Sequence, residues 1–149
     1  MPAFKRPESV LVVVHTRAGQ VLMLQRVAPP RFWQSVTGSL EPGEAPADAA
    51  RRELAEEVGL ADAPGLEDLD LAQRFTIAEP WRAKFAPGVT TNLEHAFALA
   101  VPAVFEPRLN PAEHRRHRWL TAREAIARAS SWTDRNAIAR VFPALRGAR

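Results

Sequence analysis

No cysteine occurs among the 149 residues, which excludes disulfides, thiolate metal sites and a cysteine nucleophile together. That absence suits a cytoplasmic protein, and a cytoplasmic location is the expectation. Also missing is any apolar run able to span a bilayer. The valine-rich residues 10–14 fall far short of the about 20 residues a spanning helix takes. The start Met1-Pro2-Ala3-Phe4-Lys5-Arg6-Pro7 has no apolar signal core, so neither export nor a membrane partner is expected. No internal repeat or low-complexity stretch is present. What remains is an ordinary globular composition, 46% hydrophobic and 25% charged, in a length that suits one domain over residues 1–149. The net charge of +3 owes much to Arg115, Arg116, Arg118, Arg146 and Arg149. A solvated arginine-rich surface accounts for these better than a nucleic-acid partner, and none is expected.

Residues 9–15 are rich in β-branched side chains and read as a buried strand, followed by a turn at Ala18-Gly19 and a second strand over 21–25. A short strand is expected over 32–36, and longer ones over 69–77 and 94–101. Pro46 suits the first turn of a helix running to Val58, with Gly59 as its left-handed cap. Ala47, Ala50, Leu54 and Val58 form the stripe that this helix turns to the core. A short strand at 117–120 leads to Thr121-Ala122-Arg123-Glu124, a capping box that opens a helix to about Ala129. A last helix over 134–142 is expected, capped by Thr133 and stopped by Pro143. Strands mixed with three helices point to an α/β fold with a sheet covered on both faces.

The chemistry lies in Gly38-Ser39-Leu40-Glu41-Pro42-Gly43-Glu44 and, further on, in Arg52-Glu53-Leu54-Ala55-Glu56-Glu57-Val58-Gly59-Leu60. Glu53 and Glu57 are four apart and Glu56 is three from Glu53, so their carboxylates crowd one side of a helix. Like charges so spaced cost a helix roughly 0.2–0.5 kcal/mol per pair unless a cation lies between them. Oxygen-only ligands favour Mg²⁺, or Mn²⁺, over zinc. Mg²⁺ typically binds through a few carboxylates plus substrate phosphates, so a phosphorylated small molecule is the expected partner. Arg52, four before Glu56, is placed to pair with it and hold the acids in register. Gly38 and Gly43 bracket a loop that folds back on the helix start, where glycine permits unusual backbone angles. Taken alone, the three glutamates also fit a solvated acidic face balanced by Arg51 and Arg52.

The complete pattern resembles the Nudix box, G-x5-E-x7-R-E-U-x-E-E-x-G-U with U aliphatic, and meets every prescribed position. Chance gives such a match on the order of 10⁻⁹ to 10⁻¹⁰ per start position. The resemblance implies the Nudix fold, an α/β/α sandwich around a mixed β-sheet, and hydrolysis of a phosphoanhydride bond. It assigns Glu53 and Glu57 as the leading metal ligands and Glu56 as a further member of the catalytic set. Arg52, also carried over, joins Glu44 in organising the box.

The flanks narrow the likeness. Lys5-Arg6-Pro7, the stretches 21–26 and 32–39, Ala86-Pro87-Gly88-Val89-Thr90 with Asn92 and Glu94, Glu113-His114, Trp119-Leu120, and Ser131-Trp132 with Arg135 and Ala137-Ile138 resemble the bacterial dihydroneopterin triphosphate pyrophosphohydrolases of folate synthesis. On that likeness Lys5, Arg26, Thr37 and Ser131 contact substrate and Glu113 completes the metal site. Their plainer readings are a solvated terminal charge, a surface ion pair, a strand-end residue, a helix-cap neighbour and a loop acid. Trp33 and Trp132 offer faces on which a bicyclic ring stacks, or fill core and rim. Residues 75–84 are shorter and less aromatic than that family's pattern. The expected reaction converts 7,8-dihydroneopterin triphosphate to the monophosphate and pyrophosphate under Mg²⁺. The rivals are a nucleoside triphosphate pyrophosphohydrolase, including a sanitiser of oxidised nucleotides, an RNA-end pyrophosphohydrolase, and a non-catalytic nucleotide sensor. A silent sensor has no need of all three glutamates.

Overall fold

The computed structural model describes residues 4–145, so Arg146 and Arg149 of the basic tail lie outside the described residues. Strand β1 (Glu8–Thr16) lies at the centre of a seven-stranded mixed sheet. It pairs in parallel with β6 (Thr91–Val101), and antiparallel with β2 (Gln20–Arg26) at one end and β4 (Val36–Ser39) at the other. β3 (Trp33–Gln34) and β7 (His114–Thr121) pair with β2, while β5 (Glu67–Thr76) edges β6. The run of valines in β1 has no polar alternation because both faces are covered. Val10, Val12 and Val14 pack with Leu54 and Val58 of helix α1 (Pro46–Val58). Leu11 and Val13 pack on the other face, against Ala125 of helix α3 (Ala122–Arg128) and Ala137 and Ile138 of helix α4 (Trp132–Val141). Residues 79–82 form a one-turn helix, α2 (Glu79–Arg82), with Pro80 in its first turn.

Local signals that act through the backbone alone hold closely. Pro46 opens α1 and Gly59 closes it at φ 80°, its N–H donating to the Ala55 carbonyl at 3.1 Å. Both halves of the Thr121–Glu124 capping box form. Three expectations need correction. The strand expected over 32–36 breaks at Ser35, because the Ser35 N–H and hydroxyl both donate to the Asp134 carboxylate, each at 2.7 Å, in place of a ladder partner. α4 begins at Trp132 with Ser131 as its cap, whose hydroxyl accepts the Asp134 N–H at 3.2 Å; Thr133 is buried in the first turn. Gly38 does not need an unusual backbone angle, whereas Gly43 does, at φ 74°. Gly38 is required for space: a Cβ there would fall inside the Glu53 carboxylate.

Candidate active site

Helix α1 carries charge on the face it buries. Ala49, Ala50, Leu54 and Val58 seat it on the sheet, and the same face brings in Glu53 and Glu57, only 8% and 3% exposed. Glu53 lies flat over Gly38 of β4. Glu57 Oε1 accepts the Thr37 N–H at 3.4 Å, and Glu57 Oε2 is buried without a partner. Glu113 reaches the same place from the turn before β7, a turn tied to the end of β2 by a 2.9 Å bond from the Val27 N–H to the Glu113 carbonyl. Oxygens of Glu57 and Glu113 and a ring nitrogen of His114 lie within 4.8 Å of one another.

Electrostatics tests whether these groups suit a cation. Burial pushes the Glu57 carboxyl well above the usual range, and the neighbouring Glu53 and Glu113 raise it further. Burial likewise pushes Glu53 up to about 7, opposed by Arg52 and aided by Glu56 and Glu113. Two buried carboxylates, one with an orphaned oxygen, and the exposed Glu113 beside them form a donor set that a divalent ion would neutralise and satisfy. The residues fit such an ion, which Glu53, Glu57 and Glu113 could hold. His114 was not singled out as a site residue from the sequence. It stands beside this set with Nε2 4.0 Å from Glu57 Oε2 and 3.2 Å from the Gln34 amide, and burial lowers it to about 4, so the ring is neutral.

Arg52 holds the box together. Its Nε and Nη2 donate to the two oxygens of Glu44, both at 2.9 Å, and Nη2 also donates to the Ser39 carbonyl at 2.9 Å. Nη1 donates to Glu53 at 2.6 Å and to Glu56 at 3.2 Å. All the donors of a guanidinium are thereby spent, which makes Arg52 a positioning residue. Glu44 closes the loop by accepting the Glu41 N–H at 2.9 Å. Glu56 pairs with Arg52 as its spacing implied, but its side chain is 58% exposed and stays outside the carboxylate cavity.

Two cavities adjoin here. One, of about 710 Å³, holds Glu53, Glu57 and Glu113. The other, of about 430 Å³, runs under α4 on the opposite face of the sheet, with walls that include Phe32, Phe75, Ile77, Trp81 and Phe85. Lys5, Arg26, Thr37, Gly38, Ser39, Trp81 and Lys84 line both. Lys5 donates its backbone N–H to the Lys84 carbonyl at 2.8 Å. Burial lowers the Lys5 ammonium below its usual range, and Lys84 and Arg26 lower it further. Arg26 donates to the Ala28 carbonyl at 2.9 Å and lies 5.6 Å above the Trp81 ring. Thr37 donates its hydroxyl to the Val10 carbonyl at 2.9 Å. Ser131 is both the α4 cap and a wall of the smaller cavity.

The two tryptophans singled out in the sequence take the plainer of their readings, one in the core and one at the rim. Trp33 is 4% exposed, beneath Arg116 and Arg128, and takes no part in either cavity. Trp132, 45% exposed, is at the cavity's rim, and Trp81 supplies the inner ring. Trp81 lies on α2 and Lys84 just after it, in the stretch 75–84 that departs from the family's pattern and so gave neither residue a role.

A mixed sheet between α1 and the α3–α4 pair, with paired glutamates on the buried face of α1, defines the class. The chain belongs to the Nudix family, the NUDIX domain model matching residues 5–143. It is 45% identical over 139 residues to the dihydroneopterin triphosphate diphosphatase of Escherichia coli K12, covering 91% of each chain. It is 40% identical over 142 residues to the Haemophilus influenzae enzyme of the same name, covering 93% of this chain and 89% of that one. The solved structure of the E. coli dihydroneopterin triphosphate pyrophosphohydrolase superposes with a TM-score of 0.87 at 42% identity, over 93% of this chain and 97% of that one.

Proposed function

We propose that this chain hydrolyses 7,8-dihydroneopterin triphosphate to dihydroneopterin monophosphate and pyrophosphate, with Mg²⁺ as its metal. The observation that carries this reading is the continuity of a buried carboxylate cavity with an apolar chamber across one cationic rim. A triphosphate and a bicyclic ring need those two environments side by side. Likeness to the two diphosphatases over nine-tenths of the chain supports the same substrate.

When bound, the divalent ion supplies neutralisation of phosphate charge and activation of a water nucleophile. The chain's own residues do the rest. Glu53, Glu57 and Glu113 would hold the ion, and Arg52 keeps Glu53 over Gly38. Lys5 and Arg26 offer donors to the phosphate oxygens from the shared rim, and Thr37 and Ser131 border the substrate's path. Glu56 remains in the assigned catalytic set as a contributor to the field on Glu53, since its charge raises that carboxyl. The substrate is a small molecule; no helix among the described residues is long and apolar enough to cross a membrane.

Steady-state comparison tests the reading. The kcat/KM for dihydroneopterin triphosphate should exceed that for each common nucleoside triphosphate. A better value for every nucleotide tried would favour the nucleoside triphosphate reading, whose guanine ring fits the same chamber.

A further inference from the structure

The smaller cavity contains a carboxyl that phosphate chemistry leaves without a role. Glu94 lies on β6, where it pairs in register with Ser9 of β1, which pairs in turn with Ser39 of β4 at the shared rim. Two strand spacings put the Glu94 backbone roughly 10 Å from that of Ser39, one ring system away from the phosphates. Glu94 is 5% exposed, and its Oε1 has no partner. Among the described residues, the other buried side-chain atoms without partners belong to Glu57 and His114, outside this cavity.

The polar neighbours are already engaged. Asp134 spends both oxygens on Ser35. Asn92 donates to the Ser9 hydroxyl at 2.8 Å, and Gln34 is bonded to His114. A buried carboxyl that has the Thr133 hydroxyl beside it but keeps Oε1 unpartnered, in a chamber walled by Phe32, Phe75, Trp81 and Phe85, is costly unless a ligand satisfies it. Its two oxygens match two adjacent N–H donors on the edge of a flat ring, the bidentate arrangement a carboxylate accepts best.

We propose that Glu94 is the specificity-determining residue of the ring chamber, accepting the adjacent ring N–H and exocyclic amino donors of a 2-amino-oxopyrimidine edge. Pterin and guanine carry that edge; adenine, cytosine and hypoxanthine lack one or both donors. The proposal rests on the reading of a ring-bearing triphosphate as substrate. Burial also pushes Glu94 up to about 7, partly offset by the Thr133 hydroxyl and increased by Asp134, as expected of an acid that lacks its ligand.

The test is equilibrium titration of the full chain with GTP and with ITP, which differ only in the 2-amino group, using Ca²⁺ to suppress turnover. Loss of one hydrogen bond to a charged acceptor should weaken ITP about 10-fold or more relative to GTP. In Glu94→Gln, checked for folding by circular dichroism, the gap should shrink to within about threefold, since a neutral amide presents only one acceptor. Equal affinities for GTP and ITP in the unaltered protein overturn the proposal without recourse to any variant. So does a folded Glu94→Gln protein that keeps the full gap, which would leave Glu94 as a strut between β6 and α4. If dihydroneopterin triphosphate is not cleaved while the GTP–ITP gap persists, the substrate reading falls and the role of Glu94 stands.

Discussion

Replacing Glu57 by glutamine should move activity and metal-free stability in opposite directions. Glu57 is 3% exposed, has an unpartnered oxygen, and is pushed up by burial and by the adjacent Glu53 and Glu113. In the ion's absence its ionised form is a cost, so Glu57→Gln should stabilise the metal-free protein at pH 8. Relief of about 1–2 kcal/mol, a modest share of the cost of burying such a charge, raises the Tm of a chain this size by roughly 2–8 °C. Turnover should fall at least about 100-fold, because one charged holder of the ion and its share of transition-state stabilisation are lost. Thermal melts in chelator and in Mg²⁺, run beside kcat measurements, read both effects. The Mg²⁺-induced rise in Tm should shrink in the variant as its chelated Tm goes up. A folded Glu57→Gln protein with near-normal turnover refutes the assignment. A lowered chelated Tm would instead show that Glu57 is satisfied by protein contacts alone.

Three further outcomes follow from the geometry. Gly38→Ala places a methyl group inside the Glu53 carboxylate, a side-chain end that must swing out of its place; overpacking of this kind costs up to about 1–3 kcal/mol, and reduced kcat together with a lower Tm should be measured. Lys5→Ala and Arg26→Ala each remove a cation from the rim, and charge-assisted bonds of about 1.5–3 kcal/mol imply KM raised about 10-fold or more. If those contacts are equal in ground and transition states kcat stays the same, and steady-state kinetics separates this from a surface charge, which would change neither constant. The pH dependence has a definite sign: the folded pKa of Glu53 is raised from 4.5 to about 7, so its contribution is fully present below pH 4.5 and lost as pH rises through 7. The loss is about 3 kcal/mol, and melts from pH 5 to 8 should show it in chelator and not in saturating Mg²⁺.

Much of the fold was legible because several signals are local. Pro46, Gly59 and the Thr121–Glu124 box act through their own turns, and the valines of β1 report burial on both faces. What escaped depends on partners remote in sequence. Ser35 ends a strand because Asp134, 99 residues away, takes its N–H. Gly38 reads as a turn residue until Glu53 is seen lying on it. The helical period already separates Glu56 from Glu57 by about 100° around the axis, which is why only Glu53 and Glu57 enter the core. In the sequence Glu94 and His114 stand out only as members of the ordered likeness, with no role given to either, because their isolation from solvent arises from packing alone.

The most direct test of the central claim is product analysis during the first turnovers on dihydroneopterin triphosphate with Mg²⁺. Chromatography of the pterin products, combined with separate assays for pyrophosphate and orthophosphate, distinguishes the possible cleavages. The account predicts one pyrophosphate for each dihydroneopterin monophosphate, with no diphosphate intermediate. Orthophosphate as the first product, accompanied by dihydroneopterin diphosphate, would contradict it.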